Sequence, residues 1–223
     1  MSKEKILPLL DYTLLAPTAS RKDIRDFCQE TIQYGFRTVF VNPYWIAEAV
    51  SELKDHGVNV GVPIGFSLGG ATTHTKVVET IEALENGACE FDMLINLGAL
   101  KSKEYDRVKK DIAEVVKAAS GKLTKVIIET ALLTQEEKKT ACELIIEAGA
   151  DYVKTATGFN GGGATVEDVK YLRSIVKDQL KIKAAGGIRS WQDACAMVEA
   201  GADRLGTSNA VKIIEGQKIT GGY

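Results

Sequence analysis

Apolar and polar positions along the chain fall into one recurring unit. The stretches "ENGACEFDM" from residue 85, "EAGADYVKT" from 147 and "EAGADRLGT" from 199 each close an amphipathic segment, turn on a glycine and enter a β-branched or apolar run. "QYGFRTVF" from 33 and "DHGVNVGV" from 55 are looser copies. A glycine between a helical period and an apolar run marks a helix C-cap leading into a strand. The unit is therefore helix, glycine, strand. Within it, "TQEEKKTACELIIEAG" opens with Thr134 and Glu137 at capping-box spacing and places Ala141, Leu144, Ile145 and Ala148 on one helical face.

Short strands are expected near residues 9–13, 37–42, 59–64, 89–96, 123–129, 151–155, 180–184 and 203–207, with helices between most of them. Eight strands alternating with helices predict an α/β fold whose right-handed crossovers close a parallel sheet into a (β/α)8 TIM barrel, typically of roughly 250 residues. A doubly wound open sheet is the runner-up, weakened because no GxGxxG follows the first strand. No proline-rich linker, low-complexity tract or charge block divides the chain. Residues 1–223 are read as a single domain, with 215–223 as a mobile C-terminal tail.

Composition narrows the function classes. With 223 residues, 45% hydrophobic and 26% charged, the chain can build a sizeable core, and a net charge of -2 offers no electrostatic ground for a nucleic-acid or anionic-membrane partner. No window approaches the roughly 18 consecutive apolar residues of a membrane span, and the N-terminus lacks a signal-peptide core, so a cytoplasmic protein is expected. Cys28, Cys89, Cys142 and Cys195 form no CxxC pair and read as reduced, mostly core residues. His56 and His74, without HExxH or clustered partners, make a poor metal site, and no metal is expected.

Candidate chemistry gathers at strand ends. Aligning the copies of the unit superposes Phe40, Val62, Asp92, Lys154 and Gly206 at or near the C-terminal ends of strands, where barrels carry their active sites. In "DYVKTATGFNGGG" a lysine closes an apolar run, and burying an unpaired ammonium is costly. Either Lys154 turns out to solvent or it is there for its chemistry. In a semi-apolar barrel mouth its lowered pKa would leave neutral amine to attack a carbonyl and form a Schiff base. Lys183, in "LKIKAAGGIR", is a second cation able to lower it further, with Lys181 on the same face but deeper. Lys125, in "LTKVIIET", adds to the positive field. Asp92 can hold a water or pair with a lysine and serve as acid or base, or it forms only a salt bridge to Lys183 or Lys125.

Glycine-rich turns supply a binding surface. Gly186 and Gly187 in "AAGGIRS", and Gly206, Thr207 and Ser208 in "LGTSNA", follow the last two strands, where barrels often cradle a phosphate with backbone N–H groups. Gly158 in "GFNGGGAT" is expected to border the ligand, with Gly161, Gly162 and Gly163 giving flexibility, and Ala164-Thr165 opening a helix. Lys125 and Thr155 are placed with these substrate-binding residues.

At "FDMLIN", "KVIIET", "VKTATGF" and "IKAAGGIR", in this order and spacing, the sequence resembles the deoxyribose-phosphate aldolase family of class I aldolases, from "DYTLL" at 11 nearly to the C-terminus. The resemblance implies reversible cleavage of 2-deoxy-D-ribose 5-phosphate to acetaldehyde and D-glyceraldehyde 3-phosphate in deoxyribonucleotide catabolism. It implies no metal or cofactor, small sugar phosphates and aldehydes as partners, and a homodimer. It assigns the Schiff base to Lys154, the lowering of its pKa to Lys183 and proton transfer through water to Asp92. It also makes Asp11 a partner in the lysine network and gives Tyr223, after the Gly-Gly of "TGGY", a part in protonating the enamine. A sugar-phosphate isomerase or epimerase without a Schiff base, and a phosphosugar-binding module without turnover, are the competing readings.

The chain departs from the family's usual pattern at Tyr12, Ala16, Phe40 and Ser67, where His, Lys, Cys and Pro are usual. Phe40 replaces a thiol that an unsaturated aldehyde could alkylate. The protein is therefore expected to retain activity during incubation with crotonaldehyde; rapid inactivation with a cysteine adduct beside the site, seen by peptide mass mapping, would contradict this.

Overall fold

The glycine in every copy of the repeated unit has the same conformational task. In the computed structural model, which describes residues 1–217, Gly35, Gly57, Gly87, Gly149 and Gly201 have φ between +64° and +113°. L-residues with a Cβ rarely adopt this region, so glycine ends each helix and redirects the chain inward. Gly149 shows the cap directly, its N–H donating to the carbonyls of Ile145 and Ile146.

Eight strands result: β1 (Leu10–Leu14), β2 (Thr38–Val41), β3 (Asn59–Ile64), β4 (Glu90–Leu94), β5 (Leu123–Ile127), β6 (Tyr152–Lys154), β7 (Lys181–Ala185) and β8 (Arg204–Thr207). They run parallel in sequence order, and β1 pairs with β8 to close the barrel. The connecting helices are α1 (Arg21–Tyr34), α2 (Ile46–Leu53), α3 (Thr73–Glu85), α4 (Tyr105–Ala118), α5 (Gln135–Ala148), α6 (Val166–Val176), α7 (Trp191–Glu199) and the short α8 (Ala210–Ile214). At α5 the Thr134 side chain accepts from the Glu137 N–H while the Glu137 carboxylate accepts from the Thr134 N–H, the reciprocal cap expected from the sequence. No described helix is long and apolar enough to cross a membrane.

Strand alternation divides the interior in two. Val39, Val41, Val60, Val62, Phe91, Met93, Val126, Val153, Ile182 and Leu205 face the helices and form the apolar core. The opposite phase faces the barrel axis and carries Asp11, Phe40, Asp92, Lys125, Lys154 and Lys183. Val62 therefore does not share the phase of Phe40: the residue in register with Phe40 is Gly61. The reason is steric. A Cβ on Gly61 would lie 2.4–2.8 Å from Phe40 ring atoms, so the axis-facing position of β3 is open only to glycine.

A buried ion pair pins the helical shell near β4. Lys76 of α3, fully buried, meets Asp111 of α4 at 2.5 Å and donates a second bond to the Leu94 carbonyl at 2.9 Å. Removing one partner of such a pair strands a charge away from water. Asp111→Ala should lower unfolding free energy in urea by about 3 to 5 kcal/mol. A loss below about 1 kcal/mol would mean that the pair behaves as an exposed one.

Candidate active site

The axis-facing charges form one connected cluster. Asp92 Oδ2 accepts from Lys154 Nζ at 2.8 Å and from Lys183 Nζ at 2.7 Å, while its Oδ1 lies 3.0 Å from Lys125 Nζ. Lys154 and Lys183 are direct partners in the β6–β7 register, as Asp92 and Lys125 are in the β4–β5 register. Lys183 Nζ also lies 2.5 Å from Asp11 Oδ2, and Asp11 Oδ1 accepts from Arg204 Nε at 2.7 Å. Glu90 pairs with Lys125 at 2.6 Å and with Arg204 at 3.1 Å. Asp11, Asp92 and Lys125 are fully buried and Lys154 is 6% exposed. Lys154 is therefore not turned out to solvent.

This environment is more polar than the semi-apolar mouth expected, with one apolar wall. The Phe40 ring centroid lies 3.7 Å from Lys183 Nζ, 4.8 Å from Lys125 Nζ and 5.8 Å from Lys154 Nζ, within cation–π range of all three. Four cations (Lys125, Lys154, Lys183, Arg204) face three carboxylates (Asp11, Glu90, Asp92), leaving an unmatched positive charge. Burial lowers the Lys183 ammonium to about 8; Asp11 and Asp92 resist that shift, whereas Lys154 and Lys125 reinforce it. Burial acts to raise the Asp92 carboxyl, but Lys125, Lys154 and Lys183 outweigh it and hold the group ionised, well below the usual carboxylate range. Lys125 moves upward: burial opposes its charge, and Asp92, Glu90 and Asp11 prevail. Near neutral pH the cluster thus has a fixed anion at its centre and its most labile proton on Lys183.

Above the cluster opens a cleft of about 430 Å³, the size of a small-ligand site. Its wall includes Lys154, the one lysine among the described residues that reaches it, together with Gly158, Gly186, Gly187, Gly206, Thr207 and Ser208. Arg189 and Asn209 also line it. Gly162 and Gly163 prove to be packing residues rather than a flexible tract. A Cβ on Gly163 would lie 2.7 Å from the Gly186 carbonyl oxygen, and one on Gly162 would lie 2.5 Å from the Ala131 Cβ, so two glycine loops are pressed together. Ala164 N–H locks this contact by donating to Gly186 O at 2.9 Å.

Other expected site residues lie elsewhere. Lys125 sits beneath the cleft in the charge cluster, and Thr155 is fully buried, its hydroxyl donating to Ala185 O and accepting from Ala185 N–H. Lys181 is exposed, 5.7 Å from the Tyr152 ring, and is absent from the cluster. Tyr12 packs outside the barrel on Phe27 and Phe36 and donates to Glu30 at 2.6 Å. Tyr223 and most of the expected mobile tail lie outside the described residues. Sequence reasoning missed Glu90 and Arg204. Each stands two residues before an expected site position, Asp92 and Gly206, so period-two alternation was the available signal. None of the four cysteines lines the cleft, and among the described residues no group of three His, Cys, Asp or Glu side chains could hold a metal ion.

Comparison with known proteins places this architecture. The chain is 61% identical over 223 residues to "Deoxyribose-phosphate aldolase 2" of Oceanobacillus iheyensis, covering 100% of both chains. It is 54% identical over 220 residues to the deoxyribose-phosphate aldolase of Thermococcus kodakarensis, covering 97% of this chain and 98% of that one. The solved tetrameric deoxyribose phosphate aldolase from Aeropyrum pernix superposes with a TM-score of 0.90 at 37% identity, over 96% of this chain and 91% of that one. Residues 7–214, which hold the barrel, the lysine cluster and the glycine-walled cleft, match the family model, and the chain belongs to the DeoC/LacD family aldolases.

Proposed function

We propose that this protein is a deoxyribose-phosphate aldolase acting through a Schiff base on Lys154. The reaction is the reversible cleavage of 2-deoxy-D-ribose 5-phosphate to acetaldehyde and D-glyceraldehyde 3-phosphate. The observation that carries the reading is that Lys154 bridges cluster and cleft: its Nζ contacts buried Asp92 while the residue lines the open pocket. The names of the full-length relatives in Oceanobacillus and Thermococcus supply the substrate class.

In this reading, neutral Lys154 attacks the C1 aldehyde of the open-chain sugar, and the resulting carbinolamine loses water to give an iminium. The C3 hydroxyl then surrenders its proton, the C2–C3 bond breaks, and its electron pair passes into the enamine as glyceraldehyde 3-phosphate departs. Protonation at C2 and hydrolysis release acetaldehyde and restore Lys154. Asp92, held ionised well below the usual carboxylate range, is a weak base and suits stabilisation of the iminium charge more than taking or giving a proton itself. Lys183, with its ammonium near pKa 8, is the group able to give and take a proton at working pH. The substrate phosphate fits the wall of backbone groups at Gly186, Gly187 and Gly206 beside Arg189, and the same reading makes the protein a homodimer.

Incubation with acetaldehyde and sodium borohydride should leave a reduced ethyl adduct on Lys154, located by peptide mapping and absent from Lys154→Ala. A folded wild-type protein that acquires no adduct would turn the assignment toward an isomerase using the same phosphate wall.

The pH dependence follows from the shared carboxylate. Lys154 and Lys183 both donate to Asp92 Oδ2, so a proton lost from Lys183 changes the charge directly beside the Lys154 amine. Trapping should accelerate with pH through the region near 8. Lys183→Met removes the proton-labile group while Lys125 stays on Asp92 and Arg204 on Asp11, so the rise near 8 should be lost and trapping at pH 7 should slow by about tenfold or more. An unmoved profile would remove Lys183 from that role.

A further inference from the structure

Two loops at the barrel mouth carry the same six-residue pattern. "GFSLGG" (65–70) follows β3 and "GFNGGG" (158–163) follows β6, two strands that are not neighbours in the barrel. Each begins with a glycine at positive φ, +62° at Gly65 and +85° at Gly158. Their phenylalanines meet edge to face, with Phe66 and Phe159 centroids 5.2 Å apart at 83°. The first loop reaches the second by lying across β4: a Cβ on Gly69 would fall 2.2 Å from the Ile95 carbonyl oxygen. Together the loops roof the β4–β5 side of the mouth.

One side chain joins them. Asn160 Nδ2 donates to Ser67 O at 2.8 Å and to Glu129 Oε1 at 3.2 Å, with Thr157 Oγ1 at 3.5 Å. Acceptors surround this end of the amide, which settles its orientation: the flipped amide would set oxygen against oxygen. Glu129 is fully buried at the end of β5 with φ +52°, an unusual conformation for a residue with a side chain. Its Oε1 also accepts from Thr157 N–H at 2.8 Å, one residue before the cleft-lining Gly158.

The geometry points to Asn160, oriented by Glu129, as a positioning residue that clasps the loops after β3 and β6 and thereby holds the Thr157–Gly158 backbone at the cleft wall for the sugar phosphate. This rests on the aldolase reading above. Neither side chain needs to touch the reacting atoms.

The test compares Asn160→Ala with Asn160→Asp. Alanine removes the donor, whereas aspartate places a carboxylate against the Ser67 carbonyl and Glu129, so damage should rank Asp above Ala. Asn160→Ala should raise KM for 2-deoxyribose 5-phosphate about tenfold with kcat changed less than about twofold, because loop misplacement weakens positioning of the substrate. Glu129→Gln keeps an acceptor for Thr157 and Asn160 and should stay within about twofold of wild-type KM, whereas Glu129→Ala should behave like Asn160→Ala. Acetaldehyde trapping on Lys154 should persist in all four variants. Unchanged KM in Asn160→Ala, an Asp variant no worse than Ala, or equal damage from Gln and Ala at position 129 would each overturn the clasp. Absence of trapping in wild type would instead defeat the aldolase reading on which it stands.

Discussion

Asp92 is the constraint on which the site depends. It is an anion without exposure to water, and among the described residues it is the one carboxylate that all three of Lys125, Lys154 and Lys183 contact. Those lysines in turn keep it ionised. Breaking up such a buried group leaves an uncompensated charge, so its members stand or fall together. The cluster is also one carboxylate short of neutrality, and that shortage separates it from a purely structural ion-pair network. Burial and the neighbouring cations push the cost of the excess onto Lys183, whose ammonium is consequently the weakly held one. A proton that is easily released, beside a lysine that reaches a cleft, is what amine chemistry on a carbonyl requires.

The surrounding fold supports that imbalance from three directions. Below, Arg204 and Glu90 form a second tier whose bonds to Asp11 and Lys125 restrain the side chains that touch Asp92 and Lys183. Beside it, Phe40 supplies a polarisable face where a carboxylate would have quenched the charge, and Gly61 leaves the space for its ring. Above, glycine loops pressed together leave backbone groups open on part of the cleft wall, close to Lys154. Rigid strands thus carry the reactive groups, while loops pressed together by glycine contacts shape the binding surface.

Much of this was legible in the sequence because it arises from local rules. The five copies of the helix–glycine–strand unit and the apolar runs between them mark all eight strands to within two residues, and the five repeated glycines have the left-handed conformation that their position demands. Lys154, Lys183 and Asp92 could be brought to one end of the barrel because equivalent phases of a repeating unit lie at equivalent strand ends. The errors share a different origin. Val62 and Gly61 differ by a single residue of register, and a loose repeat cannot resolve which one meets Phe40. Gly162 and Gly163 looked like slack, but their meaning resides in Ala131 and Gly186, which are distant in sequence. Thr155 is adjacent to Lys154, yet its hydroxyl is consumed by Ala185 on the next strand.

By itself, then, the sequence determined the alternation of helices and strands and the residue types available for amine and phosphate chemistry, since these depend on spacing along the chain. Tertiary structure alone decided that seven charges share one buried cluster with an unmatched cation, that Phe40 faces three ammonium groups, and that Asn160 joins loops 93 residues apart. Coulombic energies, desolvation and packing depend on distances through space, and closure of the barrel sets those distances.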